Sequence, residues 1–181
     1  MLVEFKKYQG INVLTFFLEN PDLEVHIKDL ARKLKISPAT SKKFCDLLNK
    51  EQLILKEKKG NTIFFKLNNQ SNYVKLLKKT HGLMKIKKHW ESPLEEGIKT
   101  IAVYGSYASG EYSQNSDLDL IIITRKKDVN LKFIQTFQNK IKKEVNITKL
   151  TYFEWEKLKK DNDAFAKELI LNNFVILGSE L

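Results

Sequence analysis

The stretch from Gly105 to Asp119, GSYASGEYSQNSDLD, constrains this chain more than any other. Apolar runs of strand length flank it, Ile101 to Tyr104 (IAVY) before and Leu120 to Ile123 (LIII) after. Gly105 and Ser106 follow the first run at once, where a turn into a helix belongs. After ten intervening residues, Asp117 and Asp119 head the second run. Strand side chains alternate faces, so carboxylates two positions apart point the same way. Such a pair suits a divalent cation.

A glycine lets the backbone approach phosphate groups, a serine adds a hydroxyl, and the N–H groups at a helix start favour anionic oxygens. Paired carboxylates on the adjoining strand hold one or two magnesium ions, which bridge phosphate oxygens and stabilise an in-line displacement. Taken singly, Gly-Ser at a strand end is a turn with a helix cap, and Asp-x-Asp is a solvated strand start. Together at this spacing, each beside a strand, they point to transfer of a nucleotidyl group from a nucleoside triphosphate.

The stretch resembles the signature of the minimal nucleotidyltransferase superfamily, with its DNA polymerase beta-like fold, in which Gly-Ser, ten residues and Asp-x-Asp recur. The matching positions are Gly105, Ser106, Asp117 and Asp119, and the resemblance covers Ser92 to Leu181. It implies that Asp117 and Asp119 bind catalytic Mg2+ and that Gly105 and Ser106 hold the triphosphate of an NTP such as ATP. It also implies a third carboxylate on a neighbouring strand. The sequence departs there, because the next strand candidate, Glu144 to Leu150 (EVNITKL), places Asn146 at that position. Alternation puts Val145 and Ile147 on one face and Asn146 and Thr148 on the other. An amide oxygen can ligate a metal, but it carries no charge and is a poor general base. Glu144, on the Asn146 face, is the alternative acid. A second departure is Ser109, where many members of the family carry an arginine.

At 181 residues the chain has room for one medium domain or two small ones. Its net charge of +10 favours two, being unevenly spread. Residues 1–90 carry 19 Lys and Arg against 8 Asp and Glu, and residues 91–181 carry 13 against 14. A basic first half is expected of a part that meets a polyanion, the bland alternative being a lysine-rich surface kept for solubility. The lone cysteine, Cys45, excludes an intramolecular disulfide and points to a reducing, cytoplasmic compartment, with Cys45 itself a packing residue. His26, His81 and His89 lack metal-ligand spacing. The apolar segment Ile11 to Leu18 is interrupted by Asn12 and Thr15 and reads as a buried helix rather than a signal peptide. No run approaches the ~18 apolar residues of a membrane span, so no membrane partner is expected.

In the first half, Ile11, Leu14, Phe17 and Leu18 give a helix over Tyr8 to Leu18, ended by Asn20-Pro21. An extended piece follows at Glu24 to His26, then a helix over Ile27 to Leu34. Ser37-Pro38 is an N-cap with proline at the first helical position, opening a third helix to Glu51. Its spacing points Phe44, Leu47 and Leu48 inward and Ser41, Lys42 and Cys45 outward, with Lys43 at the boundary. Strands at Leu53 to Glu57 and Thr62 to Leu67 flank the basic tip Lys58-Lys59-Gly60-Asn61.

This order resembles the winged helix-turn-helix fold of many prokaryotic transcription regulators, over Tyr8 to Asn69. The resemblance implies a third helix in the major groove and a wing against the backbone of DNA, with Ser41, Lys42, Lys43, Lys58 and Lys59 on phosphates. The third helix has no Arg and only Asn49 near its end, so base readout is weakly supported, and docking of a protein or a second copy is the alternative. Gln52 stands where a glycine often precedes the wing.

Ser71 to Lys88 gives a long basic helix with Val74, Leu77, Leu83 and Ile86 near one stripe, kinked at His81-Gly82. It either pairs with its copy in a homodimer or connects two domains, whose boundary falls at Trp90 to Pro93. The expected division is therefore 1–70, 71–90 and 91–181. In the second half Arg125, Lys126 and Lys127 read as a solvated basic loop, with triphosphate binding as the alternative. A helix over Leu131 to Ile141, helices over Tyr152 to Lys160 and Ala164 to Asn172, and a strand at Phe174 to Leu177 complete the chain. The fold class expected is α/β (α+β), a winged helix-turn-helix domain followed by a nucleotidyltransferase fold with a small mixed sheet flanked by helices.

Two functions of different class follow. One is Mg2+-dependent transfer of a nucleoside monophosphate to a hydroxyl acceptor. Small members of the family act on antibiotics, RNA ends or protein tyrosines, including antitoxins that modify a toxin partner. The other is a DNA-binding regulator whose second domain has lost turnover through Asn146 and acts as a nucleotide sensor. A purely structural adaptor that docks partners is a third.

Overall fold

The computed structural model describes residues 8–90 and 96–181. Among them the fold is mixed α+β, with eight helices and two sheets. The chain divides into two compact units, 1–78 and 79–181. The boundary expected at Trp90 to Pro93 lies, from Glu91 onward, outside the described residues. No helix among the described residues is long and apolar enough to cross a membrane.

The first unit begins with α1 (Gln9–Glu19), whose Val13, Phe17 and Leu18 are buried at helical spacing. A two-residue strand β1 (Val25–His26) leads into α2 (Ile27–Leu34), then α3 (Pro38–Lys50), β2 (Ile54–Lys59) and β3 (Thr62–Leu67). The sheet order is β1-β3-β2 and every pair is antiparallel. Local chemistry sets the helix ends. His26 Nδ1 accepts from Lys28 N–H at the start of α2, and Lys35 closes it in the left-handed conformation. Ser37 Oγ accepts from Thr40 N–H at 3.0 Å, with Pro38 in the first turn of α3. Phe17, Leu30, Ile54 and Phe65 are among the fully buried side chains of this core. Each such burial contributes about 1.5–3 kcal/mol.

The face that α3 buries differs from the spacing-based expectation. Ser41 and Cys45 are fully buried beside Leu48, whereas Leu47 is 50% exposed. The reason is close packing, because the two small side chains let α3 approach α2 and Ser41 Oγ donates to the main-chain oxygen of Ile27 at 3.3 Å. Ser41 therefore does not face outward, and Lys42 and Lys43 do. Burial pushes the Cys45 thiol up to about 12, which keeps it protonated and unreactive.

The helix α4 (Asn72–His89) gives Val74 to the first core and Leu83 and Ile86 to the second. It stays helical through His81-Gly82, so the interruption expected there does not occur. Gly82 serves another purpose: a β-carbon there would lie 3.1 Å from Tyr112 and 3.2 Å from Tyr107. Those two rings stack at 4.3 Å with an interplanar angle of 6°, filling the space a side chain would take.

In the second unit β4 (Ile98–Tyr104), α5 (Gly105–Ser109), β5 (Leu118–Thr124), α6 (Lys132–Ile141) and β6 (Val145–Thr151) are followed by α7 (Tyr152–Lys160), α8 (Ala164–Leu171) and β7 (Phe174–Gly178). The sheet order is β6-β5-β4-β7, with β5 and β6 parallel and the other pairs antiparallel. The central strands are covered on both sides, which explains their unbroken apolar runs. Leu118, Leu120 and Ile122 pack with Ile101, Val103, α6 and the end of α4. Ile121 and Ile123 pack on the opposite face with Ala102, Trp155, Ala166 and Leu169. Asp117 and Asp119 share the parity of Ile121, so they lie at the open end of this second face.

Gln52, between α3 and β2, holds a left-handed φ of +57°. A non-glycine residue in that region costs about 1–2 kcal/mol, against which a glycine loses about 0.5–1 kcal/mol of chain entropy. Gln52→Gly should therefore raise the stability of the first unit by about 0.5–1 kcal/mol. Both tryptophans, Trp90 and Trp155, belong to the second unit. Urea unfolding followed by circular dichroism should show the gain, while tryptophan emission reports an unchanged second transition.

Candidate active site

The site is assembled where three strands end together. Tyr104 is the last residue of β4 and lies opposite Asp119 in the antiparallel pair. Asn146, second in β6, lies opposite the same aspartate in the parallel pair. Register alone thus places Tyr104, Asp119 and Asn146 abreast. Asp117 stands one residue before β5 and is exposed, while Asp119 is half-buried. The Asn146 amide donates to Asp119 Oδ1 at 3.2 Å and reaches Asp117 Oδ2 at 3.5 Å.

Gly105 joins the turn to the carboxylates. Its φ is +65°, and a β-carbon on it would sit 2.6 Å from Asp119 Oδ2. The conformation strains any other residue type, and a side chain there would have to displace the Asp119 carboxylate. The half-buried Ser106 opens α5 with Gly105, and its carbonyl accepts from Glu111 N–H at 2.9 Å, Tyr112 N–H at 3.2 Å and Ser109 Oγ at 3.2 Å. Ser109 thus closes the short helix upon itself. The loop that follows is braced by Ser116 Oγ, which accepts from Ser113 N–H at 2.8 Å.

Two residues join this constellation without a sequence signal strong enough to single them out. The Tyr104 hydroxyl shares a hydrogen bond with Thr148 Oγ1 at 2.8 Å, on the face of Asp119 and Asn146. Only its place directly before Gly105, at the strand's end, hinted at this. Lys143 Nζ donates to the main-chain oxygens of Gln114 at 2.8 Å and Ser116 at 3.0 Å. Burial and the nearby charge of Lys85 hold its ammonium below the usual lysine range, and Asp117 opposes that shift. Burial likewise pushes Tyr107 up to about 12, with the Asp117 charge adding to it.

Chemically, the site offers two carboxylates, one amide and a glycine turn. No cluster of three or more His, Cys, Asp or Glu side chains suited to a metal occurs among the described residues. The donors present are oxygens from Asp117 and Asp119, with Asn146 in reach of both, a set whose hardness matches magnesium better than zinc. Arg125, Lys126 and Lys127 do not belong here. They follow the far end of β5, and Asp119 to Thr124 spans roughly 17 Å at ~3.3 Å per residue. Lys126 pairs there with Glu96 at 3.2 Å, so the run is a solvated loop.

The basic residues of the first unit are differently disposed. Ser41 is buried and presents nothing to a ligand. Lys42 lies 3.5 Å from Asp46, and Lys59 is ion-paired to Glu24 and lies 3.9 Å from Glu57. The Lys59 hydrogen bond holds the Glu24 carboxyl below its ordinary value, and Glu24 raises Lys59 in return. Lys43 and Lys58 are exposed.

Since the obstacle to a side chain at position 105 is Asp119 itself, the two positions should be coupled. Gly105→Ala should cost about 2 kcal/mol or more of stability. In an Asp119→Ala background the cost should fall by about 0.5–2 kcal/mol. A double-mutant cycle on urea unfolding, read from tryptophan emission, measures the difference.

The profile of the nucleotidyltransferase domain family matches residues 83–177, which is over half of the chain. No curated protein matches. Two solved structures resemble it weakly. A toxin–antitoxin structure with AMP-PNP is 16% identical with a TM-score of 0.35, covering 55% of this chain and 73% of that one. A mutant of the toxin–antitoxin MntA-HpeT is 10% identical with a TM-score of 0.33, covering 56% and 74%. With its Gly-Ser turn lodged against a strand-borne acid pair, and with that profile spanning most of the second unit, the chain belongs to the nucleotidyltransferase domain family.

Proposed function

We propose that the second unit binds a nucleoside triphosphate as its magnesium complex and transfers the nucleoside monophosphate to a hydroxyl acceptor. The observation that carries this is that Asp119 Oδ2 lies 2.6 Å from where a β-carbon of residue 105 would stand, which sets the glycine turn against one carboxylate of the pair. Main-chain N–H groups of the turn and the Ser106 hydroxyl would orient the triphosphate. Asp117 and Asp119 would hold magnesium, which supplies charge neutralisation at the phosphate oxygens and at the attacking and leaving groups.

Asn146 governs the rate. Its NH2 edge meets both acids, and a half-turn of the amide brings its oxygen to the same place as a neutral ligand. It cannot accept the proton of an attacking hydroxyl as a third carboxylate would. That supports a second reading, in which turnover is lost and the unit senses nucleotide.

The first unit we read as a winged helix-turn-helix domain that meets DNA. Its three helices, its β1-β3-β2 antiparallel sheet and its basic charge support this reading. On it, α3 presents Lys42 and Lys43 and the β2–β3 turn presents Lys58, with Lys59 attenuated by Glu24.

Labelled ATP with magnesium, alone and with hydroxyl acceptors, tests the reading of the second unit. Asp117→Ala with Asp119→Ala should abolish metal-dependent ATP binding, and unchanged affinity would remove the proposed site. Asn146→Asp should raise transfer by about 10-fold or more if a general base is what the wild type lacks. Binding without transfer in either protein favours the sensor.

For the first unit, affinity for duplex DNA should fall as salt rises. Neutralising Lys42, Lys43 and Lys58 together should lower the log–log slope by about 0.9 for each phosphate that is no longer neutralised. A flat response would point to a protein partner.

A further inference from the structure

We propose that Lys143 is a positioning residue that holds the loop carrying Asp117 and thereby sets how tightly the acid pair takes a cation. The inference rests on the reading of Asp117 and Asp119 as cation ligands given above, and adds a residue that the motif does not contain.

Asp117 lies outside the sheet. It stands before the first residue of β5 and is exposed, so strand pairing fixes its main chain only on the Leu118 side. Glycine turn and register position Asp119, but Asp117 depends on the segment Ser113 to Ser116. Two devices hold that segment. One is internal, the Ser113–Ser116 hydrogen bonds at 2.8 and 3.0 Å. The other is Lys143, whose ammonium donates to the carbonyls of Gln114 and Ser116, the second of which belongs to the residue immediately before Asp117.

The anchor is itself anchored. Lys143 closes the connection from α6 and stands three residues before Asn146. Beside it, the Glu144 carbonyl accepts from Leu118 N–H at 2.9 Å, extending the β5–β6 pairing past its first ladder residues. The Lys143 ammonium lies 5.8 Å from the centroid of Tyr107, which is stacked on Tyr112. Lys143 thus links the segment that enters Asp117 to the segment that enters Asn146. Hydrogen bonds from a charged donor are the stronger kind, and two of them converge on one loop. Orientation of a ligand by its supporting contacts changes metal affinity even when the ligand is untouched.

The test uses the full chain and two readouts, amide hydrogen exchange without nucleotide and the magnesium concentration for half-maximal ATP binding. Lys143→Met should speed exchange at Ser113 and Ser116 and raise the magnesium midpoint by about 10-fold or more, the loss expected of one charge-assisted hydrogen bond. Lys143→Arg, which restores a cationic donor, should recover at least half of both effects. Where Lys143→Met does not fold, Lys143→Gln replaces it with the same expectations. An unchanged magnesium midpoint overturns the proposal whatever the exchange shows, because a merely structural lysine would alter exchange alone. An equal loss of ATP binding without magnesium also overturns it, by assigning Lys143 to the phosphates directly. No recovery in Lys143→Arg does the same. Should the wild type bind no magnesium-ATP, the functional reading itself fails. If it binds, and only the Asp117→Ala, Asp119→Ala protein loses binding, the failure is that of Lys143 alone.

Discussion

A carboxylate oxygen of Asp119 occupies the space into which a side chain at position 105 would project. That exclusion joins two pieces of chain that are distant along the sequence, the exit of β4 and the entry of β5. With the left-handed φ of Gly105, the chain turns into α5 directly beside Asp119. Pairing then carries the arrangement sideways. Tyr104 and Asn146 flank Asp119 because the ladders on either side of β5 are in register there. The candidate site thus arises from three strand ends and one missing side chain.

Most of this core arrangement is legible in the sequence because it is local or periodic. Gly105, Ser106, Asp117 and Asp119 lie within one short stretch, and the spacing of polar and apolar residues indicates their faces. Asn146 follows from alternation in the next strand, and parallel pairing does set it beside Asp119. What stays hidden depends on long-range packing. Lys143 is one lysine among many in the sequence, and only the fold brings its ammonium to the carbonyls of residues 114 and 116. The rotation of α3 is hidden for a related reason. Periodicity ranks Leu47 above Ser41, whereas close helix packing favours the small residue. At Gly82 the sequence suggests a kink, but the demand comes from two tyrosines far along the chain.

Charge is distributed with more nuance than the totals imply. The first unit is rich in lysine, yet Glu24 and Glu57 gather Lys59 and Lys66 into a small network at the sheet. Such exposed pairs contribute little to stability. They do reduce the positive potential of the β2–β3 turn, leaving the exposed face of α3 relatively more prominent. In the second unit the Asp117 charge is felt at Lys143, and a neutral amide reaches both carboxylates.

The apolar run of β5 would pair almost as well if it slid along its neighbours, since Leu120 to Ile123 are chemically alike. Its two acids remove that ambiguity. Sliding by one position would turn Asp119 into the layer beneath α6, and sliding by two toward the interior would carry it under Trp155. Either move strands an anion in hydrocarbon. The two acids proposed above as cation ligands would therefore also act as end stops for the central strand, their charge opposing a misaligned pairing.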